Sequence, residues 1–311
     1  MNSKYSFNVK DSYLKTYRAE LILFIVTCMW GLSFPLIKVS LDHSSPVLFN
    51  FIRFLITLIV FIFVYRNKIV FSNFKEWKYG VILGLFLFAG FAFQTIGLKY
   101  TSASKSAFIT GISLIIIPFA QYMILKKKPK TENIAGVIIV MAGLYILTDA
   151  YFKTPGIGDV LTLFCAVFFA FHVVYLDKYS GMTGYIYLLF GQFLTMVVLN
   201  FLFMMFYEVI LTDSVFIDVN SFLLVSLLYT SLFSTLICIV LMTKYQSETT
   251  PVRAGIIYSM ESVFATVFSY FLLNEIFNNN QIAGIIIMLA GLFISEFYSY
   301  FKLKFKSNEE I

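Results

Sequence analysis

IAGVIIVMAGLYI, residues Ile134 to Ile146, and IAGIIIMLAGLFI, residues Ile282 to Ile294, are almost one phrase written twice. They agree at nine of thirteen positions and lie 148 residues apart in a chain of 311, so the chain reads as two related halves. Within each copy a small pair recurs seven residues on: Ala135, Gly136 then Ala142, Gly143, and Ala283, Gly284 then Ala290, Gly291. Seven residues is two helical turns. Both pairs therefore fall on one face of a helix, where small side chains let another backbone come close.

The rest of the chain agrees with that setting. Hydrophobic residues make up 59%, charged residues only 13%, and mean hydropathy is +0.85, more apolar surface than a water-soluble fold can hide. The net charge of +6 would point to nucleic acid in a soluble protein. Here the basic residues gather at the ends of apolar runs, where they orient a membrane protein instead. Cys28, Cys165 and Cys238 each fall in a different apolar run, with neither disulfide-framework nor metal-ligand spacing, and read as small buried hydrophobes. No metal and no cofactor are expected.

Charges, prolines and turn clusters cut the chain into ten apolar segments of membrane-crossing length. They are Ala19 to Ile37, Pro46 to Tyr65, Tyr79 to Leu98, Ser104 to Leu125 and Asn133 to Thr148, then Asp159 to Leu176, Tyr185 to Tyr207, Phe222 to Thr243, Pro251 to Leu273 and Gln281 to Tyr300. This gives a cytoplasmic N-terminal segment 1–18, a first five-helix repeat 19–148, a linker 149–158, a second repeat 159–300 and a cytoplasmic tail 301–311. The first span lacks a cleavage site and is expected to be retained. Short connections predict that neighbouring spans pack as antiparallel hairpins.

With the N-terminus in the cytoplasm, 18 of the 23 lysines and arginines fall on the inner side. Four (Lys38, Lys99, Lys105, Lys153) fall at or near the outer side, and Arg53 lies within a span. That asymmetry sets a cell-membrane topology with both termini inside. Five spans per half is an odd number, so the second copy enters the membrane upside down. The fold class is all-α integral membrane: ten transmembrane helices as two inverted five-helix repeats, with a solute site expected between the halves.

Four stretches then carry a resemblance. MWGLSFPLIKVSL (Met29 to Leu41), FNFIRFLIT (Phe49 to Thr57), GLKYTSASKSAFITG (Gly97 to Gly111) and KYQSETTPVRAGIIYSMESVFA (Lys244 to Ala265) resemble, in order and spacing, the ten-helix EamA-like branch of the drug/metabolite transporter superfamily. The resemblance implies a transporter of small organic solutes, often an exporter, without naming the solute. Ser262 stands where that family often has proline. Helix nine is therefore expected to be straighter, with Pro118 kinking helix four.

An ionisable group in hydrocarbon costs about 2.5 to 3.5 kcal/mol, so each one needs a partner, a water path or a task. Glu261 lies deep in the ninth span with Tyr258 one turn before it, and reads as a substrate or proton site or as a packed carboxyl. Arg53, with Asn50 and Thr57 on its face, reads as an anion site or a helix tie. His172, among Phe168, Phe169 and Phe171, reads as a packed or pH-responsive group. Gln94, Gln192, Trp30 beside Phe34, and a helix-four stripe of Ser106, Thr110, Ser113 and Gln121 complete the cavity candidates. Pro35 marks a hinge in the first span. Lys38, Lys99 and Lys105 are expected to snorkel. Gly80 and Gly84 form a GxxxG for packing within the bundle or for a dimer.

The expectation is a secondary transporter, most simply an exporter, of a small metabolite such as an amino acid. Its partners are a small-molecule substrate, the lipid bilayer and, if transport is ion-driven, a coupled proton. A monomer and a homodimer both fit. No phosphate-binding loop is present to energise transport directly. The alternatives are a non-transporting receptor or assembly subunit, and an enzyme on lipid-linked substrates, for which no nucleophile-base pair is apparent.

Overall fold

The structure is a computed structural model that describes residues 2–69, 74–147, 156–274 and 278–309; side chains are described from residue 14 in the first stretch, from 76 in the second and up to 295 in the last. Most of the 149–158 linker and the centre of the loop after span nine lie outside the described residues.

Apart from loops, turns and one isolated bridge between Ser44 and Ile217, the described residues are helical. In the first half run α1 (Asn2–Ser40), α2 (Pro46–Tyr65), α3 (Phe74–Lys99), α4 (Ala103–Gly111), α5 (Ser113–Leu125) and α6 (Thr131–Leu147). The second half has α7 (Ile157–Ser180), α8 (Tyr185–Phe203) continued by a π-helical turn (Met204–Leu211), and α9 (Ser221–Tyr229) joined to α10 (Cys238–Tyr245) through a second π segment (Thr230–Ile237). A single 3₁₀ turn (Gln246–Glu248) precedes α11 (Pro251–Ser259), α12 (Glu261–Leu273) and α13 (Asn279–Glu309). Eight of the resulting stretches are long and apolar enough to cross a membrane, and two shorter apolar helices, Thr131–Leu147 and Asn279–Ser295, make ten. Phe63, Phe119, Phe206, Ile210 and Phe271 are among the large apolar side chains on the outer surface, where lipid would cover them.

The duplicated phrase packs against itself. A methyl group on Gly143 would lie 2.8 Å from the Gly284 carbonyl oxygen, and one on Gly136 would lie 3.2 Å from that of Gly291 and 2.7 Å from the Ser295 Cβ. As the first helix ascends, its partners descend. Moreover, Gly284 and Gly291 are the second-copy equivalents of Gly136 and Gly143, so the crossing of α6 and α13 is its own image under a two-fold turn. The two halves are inverted with respect to each other.

Contacts between halves dominate the packing: α3 lies on α7 and α8, α1 on α12, α2 on α8, and α5 on α7. The hairpin expectation is corrected here, since consecutive spans touch far less than opposed ones. Gly80 and Gly84 face α8, where added methyl groups would meet Leu188 O at 2.6 Å and Thr195 Cβ at 2.7 Å, so the GxxxG serves the bundle interior. Two further expectations change. Helix nine is not straight, because spans four and nine are both interrupted, at Ile112 and Met260, 148 residues apart. At each break the backbone bonds shorten by one residue, Ile115 N–H reaching Ile112 O at 2.9 Å and Val263 N–H reaching Met260 O at 3.0 Å. Pro118 and Pro35 both lie inside unbroken helices. Finally, α1 starts at Asn2, so the polar N-terminal segment continues the first span as one helix.

Candidate functional site

The residues flanking the breaks at Ile112 and Met260, namely Thr110, Ser113, Tyr258 and Glu261, line a cavity with about 670 Å³ of empty space, its mouth included. Its wall is built from equivalent positions of the two halves. From spans four and nine come Thr110 and Ser113 opposite Tyr258 and Glu261, each pair 148 apart; from spans three and eight, Phe91 and Gln94 opposite Ile239 and Met242, again 148 apart. Spans one and six supply Trp30, Ser33 and Phe34 opposite Phe169, His172 and Val173, a separation of 139. Arg53, Leu87, Ile117 and Ser234 complete it. The duplication thus placed the cavity on the two-fold axis, and divergence made it chemically one-sided: serine faces glutamate, and serine faces histidine.

Seven of the nine sequence candidates line this cavity: Glu261, Tyr258, Arg53, His172, Gln94, Thr110 and Trp30. The other two stand behind it. Asn50 turns towards α3, donating to Phe91 O at 3.2 Å and accepting from Thr95 Oγ1 at 3.1 Å. Gln192 Oε1 lies 2.9 Å from His172 Nε2 and accepts the imidazole proton, while the Gln192 amide N–H goes to Leu188 O at 3.1 Å. Both hold lining residues in place.

Arg53 heads the large fully buried side chains among the described residues. Its Nε donates to Thr235 Oγ1 at 2.6 Å and its Nη2 to Ser234 Oγ at 3.3 Å, and its guanidinium lies 4.9 Å from the Phe91 ring centroid. Nη1 has no partner. Among the described residues no carboxylate pairs with Arg53, and none of the three ion pairs involves Glu261. Glu261 is buried at 8% exposure, and its carboxylate has no hydrogen-bond partner among the described residues. A cation and a carboxyl therefore line one low-dielectric cavity, each without an ionic counterpart among the described residues.

Aromatic groups fix the rest. Trp30 gives its indole N–H to Ser234 O at 2.8 Å and stands edge-on to Tyr258, centroids 5.4 Å apart. Tyr258 donates to Gln246 Oε1 at 3.1 Å, and Gln246 in turn donates to Val173 O at 2.7 Å, while Gln94 donates to Thr110 Oγ1 at 3.2 Å. Sequence reading overlooked Ser231, Ser234, Thr235 and Gln246. The signal was present as TSLFST (Thr230 to Thr235), a hydroxyl-rich interruption of an apolar span; the π segment turns Ser231, Ser234 and Thr235 towards α2, where Thr57 donates to Ser231 O at 2.9 Å.

The family model described as the EamA-like transporter family matches this chain twice, over residues 18–149 and 156–297. The chain belongs to the EamA-like transporter family. Membership makes it a multi-pass membrane transporter, as its fold and its relatives' names agree. An uncharacterised transporter of Archaeoglobus fulgidus is 32% identical over 281 residues, 90% of this chain and 86% of its own length. A probable amino-acid metabolite efflux pump of Salmonella typhimurium is 24% identical over 288 residues, 88% of this chain and 93% of its own. A crystal structure superposes with a TM-score of 0.72 at 17% identity, over 90% of this chain and 96% of that one, a likeness of fold. Within this EamA-like fold, the two matched segments are the two inverted halves between which the cavity lies.

Proposed function

We propose that this protein is a secondary transporter, working as an exporter by alternating access, of a small zwitterion of the amino-acid kind with an apolar side chain. One observation carries the reading: Arg53 and Glu261 line the same cavity and neither is neutralised by the other or by any other ionic group among the described residues. A solute with a carboxylate for the Arg53 guanidinium, whose buried Nη1 lacks a partner among the described residues, and an ammonium for Glu261 satisfies both charges at once. A neutral solute satisfies neither, and a singly charged one leaves the other buried and unmatched. Trp30, Phe34, Phe91, Phe169 and Tyr258 provide apolar walls for a side chain. The name of the Salmonella relative, an amino-acid metabolite efflux pump, agrees in substrate class.

The same reading extends to the setting. The protein sits in the cell membrane with both termini in the cytoplasm, a placement supported by the distribution of Lys and Arg. It comprises an N-terminal segment 1–18, repeats 19–148 and 159–300 about a 149–158 linker, and a tail 301–311. A proton is the simplest coupling ion, exchanged at Glu261 with His172 across the cavity wall.

A thermal-shift titration of the purified protein tests the substrate class. A ligand at 100 times its Kd adds about 2.7 kcal/mol to the folded state. Leucine and phenylalanine are expected to raise the Tm, whereas leucinamide and the corresponding deaminated acid are not. Equal shifts by all three kinds of compound, or by none, would refute the zwitterion reading.

A further inference from the structure

Away from the cavity, two small clusters repeat the duplication down to individual side chains. At the start of α4, Ser102 caps the helix by accepting from Lys105 N–H, while Lys105 Nζ lies 2.6 Å from Asp159 Oδ2 and Thr101 donates to Asp159 Oδ1 at 2.9 Å. At the start of α11, Thr250 caps by accepting from Arg253 N–H, Arg253 Nη2 lies 3.0 Å from Glu20 Oε1, and Thr249 donates to the same oxygen at 2.8 Å. Thr101, Ser102 and Lys105 precede Thr249, Thr250 and Arg253 by 148 residues; Glu20 precedes Asp159 by 139, the separation that also relates Trp30 to Phe169. Side-chain exposure is 14% and 8% in one pair and 16% and 7% in the other. The expectation that Lys105 snorkels is corrected accordingly: its charge is held by Asp159.

Three features separate these clusters from ordinary staples. Each joins the halves, Lys105 of the first to Asp159 of the second and Arg253 of the second to Glu20 of the first. Each cation rides on a nine-residue helix that ends at a break, α4 at Ile112 and α11 at Met260, with the cavity beside both breaks. And because the halves are inverted, α4 begins at one membrane face and α11 at the other. A short helix tied at its outer end and jointed at its inner end is a door.

We propose that the Thr101–Lys105–Asp159 and Thr249–Arg253–Glu20 clamps are the two alternating gates of transport. Releasing Lys105 lets α4 turn about Ile112 and opens the cavity to one face; releasing Arg253 lets α11 turn about Met260 and opens it to the other. Both clamps are closed in this structure. The inference rests on the cavity being the solute path, but not on the solute being an amino acid.

The test is sided chemical access. In the full-length protein, Cys28, Cys165 and Cys238 are replaced by alanine and Ser113→Cys serves as a reporter in the cavity. On that background one variant carries Lys105→Cys with Asp159→Cys, and another carries Glu20→Cys with Arg253→Cys. Each clamp is bridged with a short, reducible bifunctional thiol reagent while the reporter is shielded by a reversible disulfide adduct that is removed afterwards with a mild thiol. Labelling of the reporter in oriented vesicles by a membrane-impermeant maleimide is then followed from each face. Bridging 105 to 159 is expected to slow labelling from the α4 face at least about tenfold, within the usual range of coupling between distant sites, and to leave access from the α11 face. Bridging 20 to 253 is expected to do the reverse. Full reduction of the bridge should restore two-sided labelling, showing that the bundle remained folded. As a second arm without any bridge, Asp159→Asn is expected to speed labelling from the α4 face and Glu20→Gln from the α11 face. Identical labelling with and without either bridge, or both bridges blocking the same face, overturns the proposal. A chain that fails to carry amino acids but shows the crossed labelling pattern would refute the substrate reading and leave the gates standing.

Discussion

Arg53 is bonded on two of its three nitrogens by hydroxyls of a π-helical turn, lies over the Phe91 ring at 4.9 Å, and has a buried Nη1 with no hydrogen-bond partner among the described residues. Lysine has neither the plane nor the fork, so it cannot hold Ser234 and Thr235 while reaching into the cavity. Arg53→Lys is therefore expected to weaken binding of leucine by about ten- to 100-fold, the value of one hydrogen bond to a charged group, as read by thermal shift. Glu261→Gln keeps the shape and removes the charge; its expected effect is a comparable loss for the zwitterion together with transport that no longer responds to a pH gradient. If transport by the native chain ignores a collapsed pH gradient and Glu261→Gln carries solute normally, no proton passes through this carboxyl. Depth within an apolar run was enough to mark Arg53, Glu261 and His172. It was not enough to tell which way Asn50 and Gln192 point, because that depends on the neighbour each helix meets: Asn50 finds Thr95 of α3, and Gln192 finds His172 of α7.

Among elements, the crossing of α6 and α13 is the one the sequence displayed most openly. Glycine is required there by close approach: a methyl group on Gly284 would lie 2.5 Å from Leu147 N and 2.7 Å from Gly143 O, both backbone atoms that cannot rotate away. Gly284→Ala is expected to destabilise the protein by about 1 to 3 kcal/mol through overpacking, whereas Gly181→Ala, with no atom within 4 Å of the added methyl group, is expected to be neutral in the same melting experiment. The breaks were harder to read. Expectation followed the prolines, yet Pro118 is accommodated within α5 and Pro35 within α1, while Ile112 and Met260 break their spans with no proline at either position. Beside the breaks the spans are tied to each other: Ser262 donates to Ala107 O at 2.9 Å, binding span nine to span four. A one-dimensional pattern holds no trace of that contact, although the 148-residue separation of the breaks is the duplication showing itself once more.

At the scale of the molecule, a duplicated five-span unit inserted in opposite senses yields a bundle whose main contacts run between copies, so the halves interlock and cannot each form a separate core. Oddness of the span count made the inversion legible; the preference for partners in the opposite half over hairpin neighbours did not follow from it, because short loops fix which spans are adjacent in the chain and not which faces are apolar. Inversion also explains why the cavity and the clamps come in matched pairs, and why divergence at a few wall positions, Ser113 against Glu261 and Ser33 against His172, suffices to give a symmetric frame an asymmetric binding chemistry. Residue, element and frame all bear on the proposal that this cavity carries a zwitterion across the bilayer. The most direct test is exchange of radiolabelled leucine by the purified protein in liposomes preloaded with unlabelled leucine. Saturable exchange is expected that unlabelled leucine inhibits, that leucinamide and the deaminated acid do not, and whose leucine affinity Arg53→Lys and Glu261→Gln each lower by about ten- to 100-fold; exchange that both singly charged analogues inhibit as well as leucine does, or that keeps its native affinity in both variants, would contradict it.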